Sequence, residues 1–262
     1  MEVAPLVDSE EFINAMFFGD PGAGKTSAAA SMAHTGKVLI INLESGVNRR
    51  SLMGQGIPVE NIVVTHGLKT YEQLVSLIQK LADGLAKNPD AYVGVVLDSV
   101  TELQDKLTEN LVGERHAKRI RSGMKDDEFE IDGDTRIRVS GQVTRVCRML
   151  RDLPCHTVIT ALQKEDKEND GTIYYRPALG PKTATAVASY MHIVMHMELE
   201  KGSDGARRIG RANPVGKYRG KDNTGCMPER MLNPTFDRVR QVIGHELTTE
   251  DVDADRPDVV EA

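Results

Sequence analysis

The sequence has no tryptophan, only three cysteines, and no hydrophobic run that approaches the roughly 18 residues required to span a membrane. Cys147, Cys155 and Cys226 lack C-x-x-C spacing and cannot all form disulfides, which favours a reducing compartment and argues against a structural zinc site. The N-terminal residues also lack the basic and apolar regions of a secretory signal. We therefore expect a cytoplasmic protein that does not contact membranes.

The sequence also lacks an excess of positive charge. Its formal net charge is −6 and its isoelectric point is about 5.7, so any contact with nucleic acid must come from local basic segments. A chain of 262 residues with 40% hydrophobic content can bury one full α/β core. The predicted organisation is a lead-in at residues 1–11, one domain at 12–245, and a flexible acidic tail at 246–262.

Short apolar runs alternate with amphipathic helical segments, which predicts an α/β fold with a mostly parallel, twisted sheet and helices on its two faces. The predicted strands are 12–18, 38–43, 62–64, 93–98 and 157–161. The segments 191–195 and 207–219 predict antiparallel strands added at the edge of the sheet. Two polar segments, 114–134 and 164–171, have no regular apolar face and are predicted to be loops.

A phosphate-binding motif, G-x-x-x-x-G-K-[ST], stands between the first predicted strand and a helix of small residues. Its backbone N–H groups and the helix N-terminus would hold the phosphates of ATP, Lys25 would reach the β and γ phosphates, and Thr26 would bind Mg²⁺. The predicted nucleotide contacts are Gly19, Asp20, Pro21, Gly22, Ala23, Gly24, Lys25, Thr26 and Ser27.

Two carboxylates follow strands that end at the same edge of the predicted sheet. Asp98 ends the fourth strand and is the predicted second ligand for Mg²⁺, as in a Walker B motif. Glu44 follows the second strand, where it can orient or deprotonate the water that attacks the γ-phosphate. The alternatives are an aspartate that only caps the next helix and a solvated loop glutamate.

Together these motifs resemble the RecA superfamily, in particular the short recombinases of bacteriophages that also anneal single strands. The resemblance covers about residues 12–241 and identifies 12–245 as a RecA-type ATPase domain. It implies that Gln163 senses the γ-phosphate, and that ATP lies between subunits of a filament or ring. The cation contributed by the neighbouring subunit would then be Lys217 or Arg219, for which an exposed basic edge strand is the alternative.

The resemblance further implies that two segments bind single-stranded DNA, with a single-strand-binding protein as an additional candidate partner. In both segments basic side chains would neutralise phosphates. The predicted contacts are Arg115, Lys118, Arg119 and Arg121 in the first segment, and Lys164, Lys167 and Arg176 in the second. A solvated helix end is the alternative for the first segment.

Two other classes of enzyme carry a similar phosphate-binding motif. A DnaB-like replicative helicase core would be preceded by a helical domain, whereas the first predicted strand here begins at residue 12. A nucleotide or small-molecule kinase would have an arginine-rich lid, which we do not find in the sequence. The sequence therefore favours a DNA-dependent ATPase of recombination or annealing, without deciding between strand exchange, annealing and unwinding.

Overall fold

The computed structural model describes residues 12–121, 131–202, 205–213 and 217–248. A ten-stranded sheet lies at its centre, with the order β10-β8-β7-β1-β5-β4-β2-β3, while β6 pairs with β5 and β9 with β7. The strands are β1 Asn14–Gly19, β2 Val38–Asn42, β3 Ile62–Val64, β4 Gly94–Asp98, β5 His156–Lys167, β6 Ile173–Pro177, β7 Ile193–Gly202, β8 Gly205–Arg211, β9 Lys221–Asp222 and β10 Met231–Leu232. The helices are α1 Lys25–Ala30, α2 Arg49–Gly54, α3 Tyr71–Lys87, α4 Val100–Arg121, α5 Gly133–Arg151, α6 Pro181–Tyr190 and α7 Phe236–Ile243.

The six central strands, β7-β1-β5-β4-β2-β3, are parallel. Strands β1 and β4 are buried along their whole length, as expected for continuous apolar runs covered on both faces. One hydrophobic cluster packs under α3, α4, α5 and α6, and a second packs under α1 and α7. All parallel strands thus end at one edge, and that edge carries the motifs identified in the sequence.

Antiparallel strands complete the sheet at several points. Strand β8 pairs with β7, β10 with β8, β9 with β7, and β6 with the far end of β5. The predicted fold class, a mostly parallel sheet flanked by helices with antiparallel additions, is therefore confirmed. The segment 191–195, however, was predicted as an antiparallel edge strand and instead leads into β7, which pairs in parallel with β1. None of the helices in the described part of the chain combines the length and apolarity needed to cross a bilayer.

Two loop predictions are wrong. Helix α4 continues through residues 114–121, and residues 164–167 and 173–177 form a β-hairpin. The end of α4 and the hairpin both lie beyond the edge of the hydrophobic core. Neither therefore requires the periodic apolar residues by which helices and strands are predicted from a sequence. In the rest of the first predicted loop, residues 133–134 already belong to α5, whereas residues 122–130 lie outside the described residues, as do the termini at 1–11 and 249–262.

Candidate nucleotide-binding site

The phosphate-binding motif forms the turn between β1 and α1. Gly22 and Gly24 have φ angles of 83° and 91°, a left-handed conformation that glycine adopts without steric cost. At Gly19 a Cβ atom would lie 2.0 Å from the carbonyl oxygen of Met197, so only glycine fits there. The glycines of the motif are thus required by the backbone of the turn itself.

Lys25 is buried at the start of α1, with 8% of its surface exposed. Its Nζ donates hydrogen bonds to the carbonyl oxygens of Gly19, at 3.0 Å, and Asp20, at 2.9 Å. Burial lowers the pKa of Lys25, while the carboxylates of Glu44, Asp98 and Asp20 act in the opposite direction. The amine therefore lies inside the turn, close to three carboxylates.

Asp98 lies at the end of β4 and is 2% exposed. Thr26 Oγ1 donates to Asp98 Oδ2 at 2.9 Å, and Thr160 Oγ1 donates to Asp98 Oδ1. A hydroxyl and a carboxylate are hard oxygen ligands of the kind that Mg²⁺ takes, and this ion commonly keeps several of its waters. Thr26 and Asp98 therefore fit a magnesium site, although the described residues contain no cluster of three or more acidic, histidine or cysteine side chains.

Glu44 follows β2, which lies beside β4. The backbone N–H groups of Leu43 and Glu44 donate to the carbonyl oxygen of Asp98, at 2.7 and 3.2 Å. Ser99 Oγ donates to Glu44 Oε1, across the end of the two strands. Because Glu44 is exposed while its carboxylate is held by Ser99, water can reach a carboxylate of fixed orientation.

Gln163 lies on β5, one residue beyond the last residue that pairs with β1. Its Oε1 accepts a hydrogen bond from His196 Nε2 at 2.6 Å. Burial lowers the pKa of His196 to about 4, with further contributions from Arg211, Lys217 and Lys25. A neutral imidazole close to Lys25 thus holds the amide of Gln163.

Lys217 and Arg219 flank Tyr218, which forms a single β-bridge with Tyr175. The predicted strand at 207–219 therefore ends early, since β8 stops at Arg211. The Lys217 amine lies 5.4 Å from the centre of the Tyr175 ring. Arg219 pairs with Glu168, and 45% of its side chain is exposed. Both cations are thus docked on the β5–β6 hairpin of their own chain.

The predicted DNA contacts differ in how accessible they are. Lys164 and Lys167 are exposed on the hairpin, and Arg121 is exposed at the end of α4. Arg115 forms an ion pair with Asp132, and the side chains of Lys118 and Arg119 lie outside the described residues.

Arg176 is the least exposed of the predicted DNA contacts whose side chains the structure describes. It is 9% exposed, and its guanidinium donates to Asp166 and to the carbonyl oxygens of Pro177 and Leu179. These bonds join Arg176 to the hairpin and to the segment that follows it, so the predicted contact with DNA would require Arg176 to exchange some of these partners.

Four polar side chains of this region were not predicted from the sequence. Ser99 and Thr160 hold the two carboxylates, and Arg208 and Gln55 lie against the phosphate-binding turn. Ser99 follows Asp98 directly, so its position could have been noticed. The other three come from β5, from β8 and from the residue that follows α2, and only the tertiary structure brings them to the site.

Comparison with known families gives one result that agrees with this geometry. A family model described as an AAA domain matches residues 11–224, which include the phosphate-binding turn, both carboxylates and the β5–β6 hairpin. The comparison with curated proteins gave no match.

Proposed function

Because the chain belongs to the AAA domain family of P-loop NTPases, we propose that it is an ATPase whose hydrolysis of ATP is coupled to single-stranded DNA. The family membership and the turn at Gly19–Thr26 account for nucleotide binding. Hydrolysis, its dependence on DNA, and a role in phage-type recombination or annealing are the parts that we propose.

The proposed hydrolysis depends on a set of bonded residues at the carboxyl edge of the sheet. Lys25 would leave the carbonyls of Gly19 and Asp20 to hold the β and γ phosphates, because phosphate oxygens are stronger acceptors for an ammonium group. Thr26 and Asp98 would hold Mg²⁺, which supplies positive charge to the phosphates when bound. Thr160 keeps Asp98 oriented for that contact.

Glu44 is the proposed general base. Its exposure admits water, and Ser99 fixes one of its two oxygens, which leaves the other free to accept a proton. The backbone bonds from Leu43 and Glu44 to Asp98 set the position of this carboxylate relative to the proposed metal site. That continuous connection from Thr26 through Asp98 to Glu44 is the observation that carries the proposal of an ATPase.

The DNA part of the proposal is supported by the RecA resemblance and by the β5–β6 hairpin. The hairpin begins at Gln163, beside the phosphate-binding turn, and carries Lys164 and Lys167 on its exposed surface. A γ-phosphate contact by Gln163 would therefore be adjacent in the chain to DNA contacts. We further propose that the chain assembles into filaments or rings with ATP at the subunit interfaces, and acts with a single-strand-binding protein.

The test measures ATP hydrolysis with and without single-stranded DNA and examines the particles by electron microscopy. A rate that rises with DNA, together with filaments or rings, supports the proposal. Rings that unwind duplex DNA would instead indicate a DnaB-like helicase, and transfer of phosphate to a small molecule would indicate a kinase. Absence of ATP hydrolysis under all conditions would refute the ATPase.

A further inference from the structure

Arg208 lies against the phosphate-binding turn without belonging to any motif found in the sequence. It is on β8, two strands away from β1, and its side chain reaches over Gly24. A Cβ atom at Gly24 would lie 2.6 Å from Arg208 Nε and 2.8 Å from Arg208 Cδ. The Arg208 side chain therefore occupies the space that a side chain at Gly24 would fill.

The hydrogen bonding of Arg208 is incomplete within the described residues. Its Nη1 donates to Gln55 Oε1 at 3.3 Å, while its Nε is buried and has no partner. Gln55 in turn donates to Ser27 Oγ at 2.9 Å and to the carbonyl oxygen of Ser51 at 3.1 Å. Arg208, Gln55 and Ser27 thus form a connected group along the outer side of α1, where it begins.

A second arginine on β8 is bonded differently from Arg208. Arg211, three residues further along the strand, pairs with both Glu198 and Glu200. No carboxylate among the described residues pairs with Arg208. A guanidinium group has five donors, and a buried donor without an acceptor is unfavourable, so Arg208 is suited to an anion that arrives with a ligand.

We propose that Arg208 is a nucleotide-binding residue that contacts the α and β phosphates from its position beside Gly24. The inference rests on the proposed nucleotide binding at this turn. Backbone N–H groups of a P-loop surround the α and β phosphates, and Gly24 is the glycine that precedes the lysine. A planar guanidinium beside it has the geometry to bind two phosphate oxygens at once. Gln55 holds the arginine in place until the nucleotide binds.

The test compares the affinities of Arg208→Ala, Arg208→Lys and the wild type for Mg–ADP and Mg–ATP by isothermal titration calorimetry. Arg208→Ala is expected to weaken the binding of both nucleotides by the same factor, about 10- to 100-fold. Arg208→Lys is expected to recover part of this loss, because it keeps the charge but cannot bind two oxygens. Arg207→Ala is the matched control, since adjacent side chains of a strand point to opposite faces and its binding is expected to be unchanged.

A second variant tests the same contact while keeping the arginine. In Gln55→Glu a carboxylate replaces the amide that Arg208 contacts, and it would compete with the phosphates for the guanidinium. Weaker binding of both nucleotides, at an unchanged melting temperature, is the expected result. If Gln55→Glu bound both nucleotides as tightly as the wild type does, this result would count against the proposal even if Arg208→Ala failed to fold.

The outcomes separate this inference from the proposed function. Failure of the wild type to bind either nucleotide would overturn the function itself. If the wild type binds nucleotide and Arg208→Ala binds ADP and ATP at least as tightly as the wild type does, Arg208 is not a ligand and the proposed function stands. A loss confined to ATP would place the contact at the γ-phosphate and overturn the assignment to the α and β phosphates.

Discussion

Two carboxylates at the candidate site differ sharply in exposure. Asp98 is 2% exposed and accepts hydrogen bonds from Thr26 and Thr160, whereas Glu44 is open to water and is held by Ser99 alone among side chains in the described part of the chain. A buried carboxylate with two hydroxyl partners suits a metal ligand, and an exposed one suits an exchange of protons with water. Substitutions of Asp98 and of Glu44 are therefore expected to impair different steps, metal binding and proton transfer respectively.

Lys25→Ala is expected to abolish hydrolysis and to weaken ATP binding, because the ammonium group contacts phosphates already in the bound state. Glu44→Gln is expected to bind ATP as the wild type does and to turn it over about 100-fold more slowly, since only the transition state requires the base. Nucleotide binding and steady-state hydrolysis measured on both variants check this.

Glu60→Gln is the control for the loss of a carboxylate, because Glu60 is exposed and lies away from the site. It is expected to hydrolyse ATP at the wild-type rate. If Glu44→Gln also kept that rate, Glu44 would not be the base, and the RecA resemblance would lose one of its main supports.

His196 predicts a pH dependence of stability. The pKa of its imidazole is about 4 in the folded chain against 6.5 for a free histidine, so the unfolded chain binds the proton more readily between these values. The contribution of neutral His196 to the free energy of unfolding is present above pH 6.5 and is lost as the pH falls towards 4. About 2 kcal/mol of the free energy of unfolding should disappear between pH 7 and pH 5.

Chemical denaturation of the wild type and of His196→Asn at both pH values measures this effect. The variant should be less stable at pH 7 but should lose less stability on acidification. Exposed His66 provides the control, and His66→Gln should retain the wild-type pH dependence. An identical loss in His196→Asn would assign the dependence to other groups, such as His156, whose pKa is also lowered by burial.

At the scale of elements, five of the six parallel strands were predicted, whereas β7 was predicted as an antiparallel edge strand and the polar segments were predicted as loops. The strands β2 and β4 are buried between two layers of helices, and β3 is a short, partly exposed edge strand, but all three are continuous apolar runs with glycine or polar boundaries. The end of α4 and the β5–β6 hairpin project from the core, and exposed helices and hairpins share the polar composition of loops. Composition alone does not distinguish these three structures.

The same limit applies to the candidate site. The phosphate-binding turn and the two strand-end carboxylates could be predicted, because local sequence and parallel topology place them at one edge. Thr160, Gln55 and Arg208 reach that edge from distant parts of the chain, and neither spacing nor residue type marks them. For a related reason the sequence did not show that Arg176, a predicted DNA contact, is buried and paired with Asp166.

The hairpin predicts how DNA binding should depend on salt. Lys164 and Lys167 are exposed on it, so Lys164→Ala combined with Lys167→Ala is expected to weaken single-stranded DNA binding and to reduce the slope of log K against log salt by about 1.4. Fluorescence anisotropy at several salt concentrations measures both quantities.

Lys80→Ala with Lys87→Ala removes two exposed charges from α3 and leaves the net charge equal to that of the hairpin variant. This control is expected to keep the wild-type slope. Equal slopes for the hairpin variant and the wild type would show that DNA binds elsewhere.

At the scale of the whole molecule, the proposed assembly places half of each active site on a neighbour. Arg219→Ala is expected to lower hydrolysis about 1,000-fold, as for other arginines that act across an interface. Mixed in equal amounts with Lys25→Ala subunits, which are also inactive, it should regain about a quarter of the wild-type activity, because one interface in about four then has both groups intact.

Full activity of Arg219→Ala on its own would exclude this residue as an essential donor and favour Lys217 or an edge-strand role. Failure of the mixture to recover activity, with assembly intact, would place Arg219 in the site of its own subunit. In the isolated chain Arg219 pairs with Glu168, so assembly would require exchange of that partner.

Strand β5 runs without a break from the candidate site to the hairpin. Thr160 contacts Asp98 at one end, and Lys167 is exposed at the other, about 23 Å along the strand. An extended strand resists stretching far more than a loop does. If DNA is held at the hairpin, tension on the DNA would be carried along one covalent backbone to Thr160, which is hydrogen-bonded to the proposed magnesium ligand Asp98, so mechanical load and hydrolysis would act on each other.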